Sequence, residues 1–349
     1  YKPNNPGNKI KLDANESIYK MPEAVKRDII SWLENEENLH IYPDTDSTIL
    51  REALADFWNN GGLPLAPENI ICGVGSDQII DYITKALLDC GDRILTIEPT
   101  FSMYSLAAAL NHGQIARLET PASSGFYCEP DVIIEAAHAN RAKILFICTP
   151  NNPTGHDVKP EDIIKITGSV DAMVVVDEAY AEFSGATMLG AFDRFDNLII
   201  MRTFSKAWGL AGLRVGYAVA RPEIIRALEI VKAPFNLSTF TQLAAVSALR
   251  HADIYKDRVR ELKQLREQLL NGLSSAAGIT VYNSTANFVF AESHRDLAAE
   301  LARHGILVRG FGSRKTEASG GEIFSVRISV GTKEQNEEII RILKETGGL

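Results

Sequence analysis

The sequence predicts an α/β protein: a large domain on a mostly parallel sheet covered by helices, followed by a smaller α+β domain. Three observations predict it. Short, continuously apolar runs alternate with amphipathic helical stretches from "NIICG" to "RVGYAVA", and strands apolar on both sides are those covered on both faces. Polar residues cluster just after these runs, where open α/β sheets carry their ligands. From about Ser238 the texture changes. Two long helical stretches there precede strands that alternate apolar and polar residues, as in a half-exposed sheet.

Residues 1–15 are rich in Pro and Asn and read as an extended arm. "MPEAVKRDIISWLENEE" predicts a helix from about Pro22, with Pro at its start and apolar positions at helical spacing. "DSTILREALADFW" predicts a second helix capped by Asp46 or Ser47. The strands "NIICG", "RILTIE", "KILFICT", "MVVVDEAY", "LIIMRTFS" and "RVGYAVA" come next, with helices at 77–89, 102–112, 131–138 and 160–167. Helices at 238–250 and about 253–276 lead to "ANFVFAES", "GILVRGF", "FSVRISVGT" and a last helix from about Lys333. This divides the chain into an N-terminal arm (1–40) packing on the small domain, a large domain (41–250) and a small domain (251–349).

The 349 residues are 45% hydrophobic and 23% charged, which suits a globular chain able to bury a core without disulfides or metal. The formal net charge of −9 argues against general binding of nucleic acid or anionic membranes. Cys72, Cys90, Cys128 and Cys148 are far apart and form no CxxC pair, so reduced, mostly buried thiols are expected. The seven histidines form no HxxxH or HExxH, so no metal site is expected. No apolar run approaches a membrane span. With no signal-peptide pattern at Tyr1, a cytoplasmic setting is expected.

The chemistry lies just past the end of each strand. "NIICG" leads into Gly75, Ser76 and Asp77 opening a helix, and "RILTIE" into Thr100 and Phe101. "KILFICT" leads into the turn containing Asn152, "MVVV" into Asp177 and Tyr180, and "LIIMRTF" into Ser205 and Lys206. Each has an ordinary reading alone. "GVGSDQ" lacks the third glycine of a dinucleotide loop, and no GxxxxGK[ST] occurs, so it reads as a capped turn able to hold one phosphate. Asp177 reads as a cap or ion-pair partner, Phe101 and Tyr104 as core aromatics, and Asn152 as a turn former. Arg214 reads as a surface charge, although its apolar, glycine-rich setting favours a buried fork of donors for phosphate or carboxylate. Lys206 reads as a snorkelling side chain. Taken together on one sheet edge, they meet the demands of pyridoxal phosphate. That cofactor needs a lysine amine for its aldehyde, a carboxylate for its ring nitrogen, donors at its ring oxygen, a flat neighbour and an anion cradle.

With these residues in place, the sequence resembles the fold type I pyridoxal-phosphate aminotransferases, and most closely the histidinol-phosphate aminotransferase family. "KLDANES", "YPD", "GVGSDQIID", "EPTFSMY", "TPNNPTG", "VDEAYAEF", "RTFSKAWGLAGLRVGY", "ANFVF", "GILVR" and "RISVGT" carry the likeness across nearly the whole chain. It implies a seven-stranded type of sheet and pyridoxal 5'-phosphate as cofactor. Lys206 would hold the aldehyde as a Schiff base and then shuttle the substrate proton. Asp177 would pair with the pyridine nitrogen, Asn152 and Tyr180 bond the ring oxygen, and Phe101 stack on the ring. Ser76, Ser205, Arg214 and the Gly75–Asp77 backbone would hold the phosphate. Tyr42 would reach the neighbouring subunit's phosphate, making a homodimer with shared active sites.

The resemblance also implies substrates. An amino group would move between L-histidinol phosphate and 2-oxoglutarate or glutamate, in histidine biosynthesis, by ping-pong kinetics. Arg327 would take the glutamate α-carboxylate, and Arg309, Tyr19 and Tyr104 would help receive the other substrate, with Asn236 a further candidate. Where the family often reads Asn-Glu-Asn-Pro and then glycine, this chain has Asn15, Glu16, Ser17, Ile18, Tyr19 and Lys20 in the arm that closes the pocket. Rivals on the same fold are an aromatic amino-acid aminotransferase and a decarboxylase of a phosphorylated amino acid. A cofactor-binding regulatory module without turnover is the rival from another class, but no DNA-reading segment stands outside the aminotransferase-like chain.

Overall fold

The computed structural model describes residues 9–35, 40–315 and 321–347, so residues 1–8 of the expected arm lie outside the described residues. Strand β1 (Ile10–Leu12) leads to helices α1 (Glu23–Asn35) and α2 (Thr48–Asn60). A seven-stranded sheet comes next. It is built from β2 (Ile70–Gly73), β3 (Arg93–Glu98), β4 (Gln114–Glu119), β5 (Ile144–Cys148), β6 (Met173–Asp177), β7 (Leu198–Thr203) and β8 (Gly216–Ala220). Its spatial order is β2-β8-β7-β6-β5-β3-β4. Only β8 runs against its neighbours; the other pairings are parallel.

The continuous apolar strands have the physical basis expected of them. Successive side chains of a strand point to opposite faces. Leu145, Ile147, Val174, Val176 and Ile200 therefore enter one core, and Phe146, Val175, Ile199 and Met201 the other. Helices α3 (Gly75–Leu87), α4 (Met103–Leu110), α5 (Pro130–Asn140), α6 (Pro160–Thr167), α7 (Ala181–Ser184), α8 (Pro222–Val231) and α9 (Thr239–Arg250) connect and cover this sheet. The edge strand β4, "QIARLE", is half-exposed along its length, which is why its apolar pattern is too thin to mark it in the sequence. Asp44, not Asp46 or Ser47, caps α2. Its carboxylate accepts the N–H groups of Thr48 at 2.7 Å and Asp46 at 3.1 Å, while Ser47 is in the left-handed region and caps nothing.

After α10 (Ala252–Ser274) comes a five-stranded sheet of order β1-β11-β12-β10-β9. It is formed by β9 (Ile279–Tyr282), β10 (Phe288–Ser293), β11 (Ile306–Lys315) and β12 (Glu322–Ser329), with α11 (Leu297–Arg303) and α12 (Lys333–Gly347). Leu269, Val289, Ile328 and Ile339 fill its core. The N-terminal segment divides: β1 pairs with β11, whereas α1 packs on α9. Cys72 and Cys148 are buried, but Cys128 is half-buried and Cys90 exposed, fewer buried thiols than the sequence suggests. Among the described residues no helix is long and apolar enough to cross a membrane, and no cluster suited to a metal ion occurs.

Candidate active site

A cavity of about 520 Å³ opens where the carboxyl ends of the central strands meet the first turn of α3 and the β11–β12 pair. Ser76, Asp77, Phe101, Asn152, Asp177, Tyr180, Ser205, Lys206, Arg214, Arg309 and Arg327 all line it. Residues far apart in sequence thus converge on one volume.

One end is an anion cradle. Arg214 donates through Nη2 to Asp77 at 3.1 Å and through Nη1 to Ser205 Oγ at 3.3 Å. The arginine side chain is 43% exposed, so it opens into the cavity and is not the buried fork expected from its neighbours. Two glycines allow the approach. A Cβ on Gly75, whose φ is +71°, would lie 2.4 Å from Arg214 Nη2. A Cβ on Gly216 would lie 2.4 Å from the Ser76 nitrogen. The residue preceding α3, Val74, offers no side-chain cap, and a helix N-terminus with free N–H groups suits a phosphate.

The other end is Asp177, at the tip of β6 and 3% exposed. Its Oδ2 accepts the Tyr104 hydroxyl at 2.6 Å and its Oδ1 the Ala179 N–H at 3.0 Å. No Lys or Arg among the described residues forms a salt bridge with it. Burial pushes its pKa up to about 6, against the Tyr104 hydrogen bond. A buried carboxylate that faces a cavity and has no salt-bridge partner among the described residues is the feature a protonated pyridine would complete.

Lys206 lies between these ends. Its Nζ donates to the Ala14 carbonyl at 3.1 Å and sits 5.6 Å from the centre of the Tyr180 ring. Desolvation, with Arg327 and Arg214 nearby, lowers its pKa to about 8, which raises the share of neutral, nucleophilic amine. The Tyr180 hydroxyl accepts from Asn15 Nδ2 at 2.9 Å. Burial raises the phenol's pKa, so it stays protonated at neutral pH.

The remaining wall carries positive charge. Arg309 of β11 and Arg327 of β12 are direct cross-strand partners. Arg327 donates to Asn152 Oδ1 and, at 2.6 Å, to the Asp13 carbonyl.

Four expected residues lie elsewhere. Tyr104 is fully buried and bonded to Asp177, so it cannot receive substrate directly. Tyr19 lies under the Arg258 guanidinium, 4.9 Å from ring centre to Cζ, and away from the cavity lining. Tyr42 is 78% exposed and stacks on Phe235 with centroids 4.6 Å apart. Asn236 lies behind the α3 turn, where it donates to Cys72 O, Gln78 Oε1 and Tyr82 Oη. Asn15, Thr203 and Phe311 also line the cavity, beyond the residues expected to do so. Asn15 and Thr203 stand inside "KLDANES" and "RTFSK", so those blocks held the signal; Phe311 comes after "GILVRG" with none.

A sequence profile described as "Aminotransferase class I and II" matches residues 7–343. The chain belongs to this aminotransferase family. Among its relatives are two proteins named histidinol-phosphate aminotransferase. That of Ruminiclostridium cellulolyticum is 36% identical over 343 residues, covering 97% of this chain and 93% of the relative. That of Thermococcus kodakarensis is 39% identical over 337 residues, covering 97% and 92%. The aminotransferase fold is also that of the Sinorhizobium meliloti histidinol-phosphate aminotransferase solved with pyridoxal 5'-phosphate. The TM-score is 0.84 at 23% identity, covering 96% of this chain and 90% of that one. The cofactor of this aminotransferase is pyridoxal 5'-phosphate, and the cradle, the lone carboxylate and the lysine fit it.

Proposed function

We propose that this aminotransferase moves an amino group between L-histidinol phosphate and the 2-oxoglutarate/glutamate pair, a step of histidine biosynthesis. The pairing of Arg309 with Arg327 across β11 and β12 carries this reading. Like charges directly opposite on a sheet disfavour folding, and a site that places both on one cavity suits ligands that bring an anionic group to that wall. A phosphate on one substrate and a carboxylate on the other meet that demand, since a guanidinium fork accepts either. Relatives of 36–39% identity bearing the histidinol-phosphate name support the substrate.

When bound, pyridoxal phosphate supplies an aldehyde for the substrate amine and a ring that withdraws electrons from the substrate Cα. Ser76, Ser205, Arg214 and the Gly75–Asp77 backbone hold its phosphate. Asp177 would hold its ring nitrogen, Asn152 and Tyr180 its ring oxygen, and Phe101 would flank the ring. Lys206 would supply the amine for the cofactor's aldehyde and would hold or move the proton at the substrate Cα; a pKa near 8 lets it serve as acid and base around neutral pH. Arg309 and Arg327 orient the far end of the substrate.

The exposed stack of Tyr42 on Phe235, beside exposed Ile41 and Ile49, supports a homodimer in which Tyr42 reaches the partner's phosphate site. We place the enzyme in the cytoplasm, and divide it into an arm (1–40), a large domain (41–250) and a small domain (251–349). The test is turnover by the cofactor-loaded protein. Histidinol phosphate consumed with 2-oxoglutarate, yielding glutamate, at a kcat/KM well above that for phenylalanine or tyrosine is expected. Preferred use of an aromatic amino acid, or carbon dioxide release without glutamate, overturns the reading.

A further inference from the structure

Tyr104 is fully buried. Its ring lies parallel to that of Phe146 on β5, with centroids 4.5 Å apart at an interplanar angle of 8°, and edge-on to Phe101 at 5.6 Å. Two aromatic contacts thus fix the ring, and its hydroxyl is aimed at Asp177 Oδ2 at 2.6 Å. The Ala179 N–H occupies the other carboxylate oxygen. Of the other groups that bear most on Asp177 none favours the anion, while Lys206 and Arg214 line the same cavity without a salt bridge to it among the described residues. Asp77 from α3 and Glu178 beside it on the chain carry like charge, and the Cys148 thiol from β5 is kept neutral by burial.

We propose that Tyr104 is a positioning residue that acts through Asp177: its immobilised phenol fixes the carboxylate's orientation and keeps it anionic for the cofactor's pyridine nitrogen. The proposal rests on Asp177 being the partner of that nitrogen. A carboxylate has about four lone-pair sites. Tyr104 and Ala179 occupy two of them and leave the face that lines the cavity for a cation. A short hydrogen bond to a charged acceptor is among the stronger kinds, and here it is the largest influence favouring the charged form.

The test compares Tyr104→Phe, which keeps the ring and removes the donor, with Asp177→Asn and the parent. All three are reconstituted with pyridoxal phosphate. The readouts are the pH midpoint of the cofactor's visible absorbance, the rate of cofactor release and the kinetics. Loss of positive charge on the ring makes the cofactor's attached nitrogen hold its proton more tightly, so the midpoint moves to higher pH. In Tyr104→Phe we expect a shift of about 1 pH unit in the same direction as in Asp177→Asn, though smaller. Cofactor release should be about tenfold faster, as for loss of one hydrogen bond to a charged group. kcat should fall with KM little changed. If Asp177→Asn shifts the midpoint and Tyr104→Phe matches the parent, or loses only thermal stability, the role of Tyr104 is overturned. If Asp177→Asn also matches the parent, the assignment of Asp177 fails first and the proposal falls with it.

Discussion

Asn236 donates from Nδ2 to Gln78 Oε1 at 3.0 Å, and the same oxygen takes the Val74 N–H at 2.8 Å. Two side chains 158 positions apart thereby hold the turn that opens α3, although neither lines the cavity. Gln78, which breaks the dinucleotide-binding pattern in the sequence, is here the acceptor that shapes the turn into α3. Asn236→Ala removes this hydrogen bond together with those to Cys72 O and Tyr82 Oη, and should bind pyridoxal phosphate about tenfold more weakly. Cofactor titration by fluorescence measures it. Unchanged affinity would mean that the turn holds its shape without Asn236.

Lys206 reacts with an aldehyde only as the neutral amine. Its folded pKa, near 8, lies below the ordinary lysine value of 10.5. Cofactor capture by the apoprotein should therefore speed up as pH rises and level off just above pH 8. A rate still climbing steeply at pH 10 contradicts this. The same depression sets the sign for stability. Between about 8 and 10.5 the unfolded chain binds the extra proton, so this group's contribution to apoprotein stability improves as pH rises through that window.

Asp177 behaves in the opposite sense. Its folded pKa, near 6, lies above the ordinary 3.8. The folded chain therefore takes up the extra proton between those values, and stability from this group falls as pH rises from 3.8 to 6. Asp177→Asn removes the titration. Whatever constant hydrogen-bond cost the amide brings, the variant's apoprotein should gain on the parent by on the order of 2 kcal/mol between about pH 4 and pH 8, at about 1.4 kcal/mol per unit. Urea unfolding at both pH values measures the difference. No gain would show that the folded carboxylate is already well stabilised.

Glu178 and Arg202 form the buried ion pair beneath the site. Arg202 donates through Nε at 3.0 Å and Nη2 at 2.8 Å to the same Glu178 oxygen, and through Nη1 to Glu182 at 3.1 Å. Glu178 also takes the Met188 N–H and the Thr187 hydroxyl. Glu178→Ala would leave a guanidinium that is 3% exposed with Glu182 as its remaining carboxylate partner, at a cost of about 3 kcal/mol. Chemical denaturation of the holoenzyme measures it, and a loss below about 1 kcal/mol would assign the pair the weight of a surface bridge.

Strands β5, β6 and β7 are legible in the sequence because both faces are covered and their runs are almost wholly apolar. "QIARLE" and "ITVY" are not, because these two edge strands keep much of their surface in water. The polar residues that line the cavity are legible as groups placed just past apolar runs. Phe101 and Tyr104 mark the limit. Both are aromatic and both lie in "FSMY", but Phe101 precedes α4 and lines the cavity while Tyr104 falls on the helix's buried side. Spacing alone does not reveal which way that short helix turns. The arm contacts of Ala14 and Asn15 depend on pairing between chain ends distant in sequence, which local pattern does not encode.

The alignment of β11 with β12 has an evolutionary consequence. A bulge between Gly310 and Ser313 interrupts the ladder just beyond the Arg309–Arg327 pair. One residue inserted before Arg309 would flip that guanidinium to the opposite face of the sheet. One inserted at the bulge would merge with an irregularity already present. Descendants of this chain can therefore gain a residue at the bulge and keep Arg309 opposite Arg327, whereas one gained on the other side of it would turn Arg309 away from the cavity.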